Sequence, residues 1–224
     1  MMLRSFLAVI LAIVVSRPGL AVDHRIEKLD EAPPADAVGS DIAPLLSESG
    51  VKVIRGTSRT VAEIWLRKEV PAAGAAASGG IQYPFSQGEL VGVIRFPRSG
   101  SDFRDQDVPE GVYTMRYGLQ PVDGAHVGTF PTRDFLLLSK AEDDQSAEAV
   151  DIKALTEKST EASETSHPAI LALVKLEDKP ESYPAISSNE EKDWWIARLE
   201  VQVKAGGKLQ KAPLDLIVAG YAEE

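Results

Sequence analysis

The residues of this chain that could do chemistry gather around two of its three histidines. His126 lies in the glycine-flanked stretch VDGAHVG and His167 in SETSHPA. Two imidazoles and one carboxylate suffice to hold a divalent cation, so His126, His167 and Asp123 form a candidate metal site, with Asp134 as the other carboxylate in reach. Arg116 and Arg133 flank the same loop as His126. Together with Tyr117, Asp134, His126 and His167 they would receive a ligand bearing a carboxylate or phosphate. The plainer reading makes both histidines turn residues bonded to backbone and pairs the arginines with acids such as Asp123 and Asp134. The separation of His126 from His167 follows no known zinc spacing. His24, beside Arg25, reads as an exposed residue near a terminus.

Other chemistry finds little support. The sequence contains no GxSxG, HExxH, GxGxxG or GxxxxGK[ST] motif. A dispersed Ser–His–Asp triad has nothing in its favour, DxDxDG calcium spacing is absent, and 34 acids offer no means of picking a glycosidase pair. The run Glu142 to Asp144 reads as a solvated loop. With no cysteine at all, disulfides, thiolate metal sites and a cysteine nucleophile are excluded. The 24 basic and 34 acidic residues give a net charge of -10, which argues against nucleic acid as a partner, since phosphate recognition needs a basic field. These features favour a non-enzymatic module that binds a small ligand or a cell-envelope partner. The alternative is a metal-assisted enzyme built on His126 and His167, and a divalent metal is the one cofactor the residues suggest.

Residues 1–21, MMLRSFLAVILAIVVSRPGLA, set Arg4 before an apolar run at 6–15 and end on small residues. That order is a secretory signal peptide with cleavage after Ala21, sending the protein to the periplasm or the exterior. Ten apolar residues rise about 15 Å as a helix, half of what a membrane span needs. No later segment approaches the length of such a span.

Residues 22–50, rich in acids and proline, read as an exposed, partly disordered leader with at most one helical turn. From residue 51 to 224 a single domain is expected, and the apolar period becomes two. Ala62, Ile64 and Leu66 share one strand face, and Tyr113, Met115, Tyr117 and Leu119 another. The stretches 89–96, 134–140, 169–176, 194–203 and 212–221 are further strands, the last two joined by AGGK as an antiparallel hairpin. A helix fits only around 150–158, docked by Val150, Ile152 and Leu155. AAGAAASGG at 72–80 reads as a flexible loop. Seven to eight strands with at most one or two short helices point to an all-β antiparallel sandwich.

Trp65 and Trp194 alternate onto the face away from their strands' apolar stripes. Such a ring stacks on a sugar or fills a partner's pocket, or else lies beneath a loop or the leader, which the rarity of bare large aromatics favours. Finally, VPEGVYTMRYGLQPVDGAHVGTFPTRDFLLL at 108–138, TSHPAIL at 165–171 and AEIWLRKEVP at 62–71 resemble an uncharacterised family of secreted, β-rich bacterial proteins. The resemblance implies a secreted domain, and it singles out Tyr117, Asp123, His126, Arg133, Asp134 and His167 as site positions without supplying a reaction.

Overall fold

Residues 23–73, 80–121 and 132–222 are described by a computed structural model. The expected signal peptide, most of the small-residue loop, Asp123 and His126 fall outside these residues. The chain forms strands β1 (His24–Leu29), β2 (Gly50–Arg55), β3 (Arg59–Leu66), β4 (Val70–Pro71), β5 (Leu90–Phe96), β6 (Gly100–Ser101) and β7 (Asp107–Val108). Then follow β8 (Gly111–Leu119), β9 (Asp134–Lys140), helix α1 (Ile152–Ser163), β10 (Ile170–Val174), β11 (Ala185–Asn189), β12 (Trp194–Ala205) and β13 (Lys208–Ala219).

Ten strands lie in one sheet in the order β1-β2-β3-β5-β8-β9-β10-β13-β12-β11, and β4 adds to β12 off this path. Neighbours along the path are antiparallel, whereas β4 and β12 are parallel. The all-β expectation holds, but the seven-to-eight-strand sandwich is corrected to a single sheet curled into a half-barrel. Register shifts at Val53/Ile54, Leu90/Gly92 and Trp195/Ile196 add local twist, which is what rolls a long sheet onto itself. The inward stripes therefore meet one another across a single interior. Val53, Ile64, Met115, Leu136, Leu199 and Leu214 are all buried there, each contributing about 1.5–3 kcal/mol.

Loops, helix α1 and the two-stranded β6–β7 sheet cover the outer face. Residues 23–50 are corrected from an exposed leader to structure: β1 pairs with β2 along its full length. Beyond it, Val38, Ile42 and Leu46 pack over Leu90 and Val93. The short apolar run at residues 42–46 is sized to roof two strands. The Trp65 indole lies beneath this segment and donates to the Glu31 carbonyl at 2.7 Å. Helix α1 begins at Asp151, whose carboxylate accepts from the Lys153 and Ala154 N–H groups at 3.0 and 3.2 Å. It lays Leu155 against Leu137, Ile170 and Ile217, with Val150 and Ile152 at its margin. Trp194 packs edge-on to Phe103 at 5.5 Å and donates to the Tyr221 carbonyl. Both tryptophans with outward alternation are thus covered, and neither offers a bare stacking surface.

Candidate functional site

Asp134, at the first position of β9, is 1% exposed. It accepts the Tyr117 hydroxyl at 2.5 Å and the main-chain N–H groups of Gln82 and Tyr83 at 2.9–3.1 Å. The carboxylate thereby fastens the segment before β5 across one end of the barrel. Burial, and then the hydrogen bond to Asp134, raise the Tyr117 hydroxyl far above its ordinary titration range. Tyr83 continues the chain of polar contacts, donating to the Val174 carbonyl at 2.5 Å and accepting from the Asp215 N–H at 3.0 Å. Asp215 in turn pairs with Arg198 at 3.2 Å, and Arg198 reaches Asp178 at 2.7 Å.

Arg116 points to the outer face of β8 and is fully buried. Its guanidinium grips Asp144 through two bonds of 2.6 and 3.0 Å and donates to the carbonyls of Gly88, Ser146 and Glu148. Thr114 Oγ1 adds a third bond to Asp144 at 2.5 Å. An arginine so enclosed holds the 141–150 loop to the sheet and has no donor left for a ligand. Asp144 corrects the solvated reading of its run. Arg133 is half-buried and donates to the Gln120 carbonyl at 3.2 Å.

His167 is exposed, in the turn after α1, and its carbonyl accepts from Ser163 and Thr165 hydroxyls. The register sets Ile170 opposite Leu137, which puts His167 at the Lys140 end of β9. Asp134 stands at the other end, about 20 Å away at strand rise, so these two residues do not share a site. No three His, Cys, Asp or Glu side chains among the described residues gather as metal ligands.

A cavity lies at a different place. Where the half-barrel fails to close, β1 and β11 approach each other and the His24 and Trp195 rings meet at 5.0 Å. Further along this seam a cavity of about 430 Å³ opens between the two ends of the sheet. Such a volume falls in the range of ligand sites, roughly 300–1,000 Å³. Its floor is apolar, from Val51, Ile64, Leu66 and Leu199, and its rim carries Lys28, Asp30, Lys68 and Glu200. Rim charges are partly tied down: Lys68 donates to the Pro44 carbonyl at 3.1 Å, and Glu200 pairs with Lys211 at 2.5 Å.

The wall formed by β12 is an interrupted edge. Strand β11 covers residues 194–198 of β12, and β4 covers only Val203 and Lys204. Among the described residues, 199–202 between them have no neighbouring strand on that side. Ala72 donates to the Lys204 carbonyl at 3.0 Å, so the main-chain groups of Lys204 face away from β13. By the period of two, those of Gln202 and Glu200 do the same. Pro213 sits opposite Glu200 in β13, a position that demands no N–H because Glu200 looks the other way. Pairing of Val70 with Val203 engages the Gln202 carbonyl. Among the described residues no strand pairs with the Glu200 N–H and C=O or with the Gln202 N–H, in the stretch of β12 that lines the cavity. Sequence reasoning missed this site, since a gap between two strand partners leaves no mark on the strand that carries it.

Comparison with protein-family models, curated proteins and solved structures finds no match to this chain.

Proposed function

We propose that this chain is an exported, non-enzymatic binding module whose ligand or cell-envelope partner docks in the seam cavity. The reading is carried by one contrast. Buried ionic groups elsewhere, Arg116 with Asp144 and Arg198 with Asp215, are bonded to each other, whereas at the seam Val51 and Leu66 are only partly buried and, among the described residues, the main chain of Glu200 has no strand partner on the cavity side. Export rests on the order of basic, apolar and small residues at 1–21, and the net charge of -10 disfavours nucleic acid as the partner.

The test is chemical-shift mapping against a library of peptides, oligosaccharides and small anions. Hits move the amides of residues 47–51 and 199–202 and are recovered unaltered. Ser49→Trp, which places an indole at the cavity mouth, weakens them tenfold or more while the spectrum stays folded. Ligands that map to His167 instead, or a substrate or bound metal lost on His167→Ala, would overturn the reading in favour of the metal-assisted enzyme.

A further inference from the structure

We infer that the occupant of the seam cavity is an extended polypeptide segment, which joins the sheet as a short strand along residues 199–202 of β12. The inference rests on the cavity being the binding site. Three main-chain groups carry it: among the described residues no strand pairs with the Glu200 N–H, the Glu200 C=O or the Gln202 N–H, in a gap bounded by β11 on one side and β4 on the other. A sugar or an acyl chain could occupy the volume, but a second main chain answers donors and acceptors set at strand spacing with donors and acceptors of the same spacing.

The dimensions agree. Four residues of β12 span about 13 Å, and the cavity stands directly on them, with Leu199, Glu200 and Gln202 in its wall. An added strand turns alternate side chains to opposite faces. Those directed inward would point at the apolar lining of the cavity, where Val51 and Leu66 are only partly buried. The side chains between them would face solvent. The segment that fits is therefore apolar at every second position. Lys28 and Lys68 stand with Asp30 and Glu200 on the rim, a mixed-sign border that suits the mixed charges of a polypeptide better than a ligand of one sign. Among the described residues no strand closes the gap: β11 begins only after Pro184, and β4 is two residues long.

The experiment uses the full chain and a library of capped octapeptides, apolar and polar at alternate positions. Binders are expected to slow hydrogen exchange at the Glu200 and Gln202 amides about tenfold or more. The best binder is then remade twice, N-methylated at its even or at its odd residues. One of the two sets faces β12, and its methylation should lower affinity at least about tenfold, the worth of one or two main-chain hydrogen bonds. If both methylated peptides bind as well as the parent and the two amides stay unprotected, strand addition is wrong while the cavity remains the site. Oligosaccharides or anions that fill the cavity when no peptide does would likewise overturn strand addition and leave the cavity as the site. No ligand of any class in the cavity sinks both readings. A peptide-free dimer in which these amides are already protected assigns the gap to a second copy and also overturns the inference.

Discussion

Arg116 shows how a residue that looks ready for a ligand can be wholly engaged by its own fold. Its two bonds to Asp144 and three to carbonyls bind the 141–150 loop, so its loss leaves a buried carboxylate without a counter-charge. Arg116→Ala should cost about 3–5 kcal/mol, read by chemical denaturation, and a change below about 1 kcal/mol would mean the pair carries little of the fold. The sequence marked Arg116, Tyr117 and Asp134 as a cluster, and Tyr117 and Asp134 do touch. Asp144 was not legible as a partner, because 28 residues separate it from Arg116 and its neighbours are acids that favour water. Titration supplies a second residue-scale prediction. Burial pushes the Tyr113 hydroxyl up from 10.0 to about 12, with Glu164 adding to the shift. The native state therefore keeps a proton that the unfolded chain releases, and stability falls as pH rises from about 10 to about 12. Tyr113→Phe, which gives up a 2.8 Å bond to the Pro109 carbonyl, should flatten that decline. An unchanged slope over this interval would contradict the assignment.

Among the elements, periodicity located what alternation can reveal. The strands at 134–140 and 194–203, the hairpin that follows and the helix docked by Leu155 lie where the apolar pattern puts them. Strand β1 did not announce itself: HRIEKL carries two apolar residues among charged ones, and it is a strand because β2 offers an edge beside it. Tertiary pairing overrode a weak local signal there. Deleting residues 23–46 should expose Trp65, Leu90 and Val93 together and abolish cooperative unfolding, visible as a red shift in tryptophan emission. A deletion variant that still unfolds cooperatively would return that segment to the status of a dispensable leader. Gly88 marks a second element boundary. Its φ is +83°, and a Cβ built there would stand 1.8 Å from the Val150 carbonyl oxygen. Gly88→Ala should thus lose about 1–3 kcal/mol or more; a neutral effect would show that the 150 strap moves aside freely.

At the scale of the molecule, the alternating strands were legible and their closure was not. A sandwich and a curled sheet share the same period-two stripe, and what separates them is where the far face finds its cover. Here the 38–46 segment, α1 and the small β6–β7 sheet provide it, so the ends of the large sheet meet at a seam. That seam is also where two partners of β12 stop short of each other, and binding there requires this edge to be open. Amide hydrogen exchange of the ligand-free protein, resolved at residues 199 to 203, tests it most directly. Leu199, Val201 and Val203, turned toward β13, should exchange on the order of 10³-fold more slowly than Glu200 and Gln202. Uniform protection along all five residues would mean the edge is already filled and would contradict binding there.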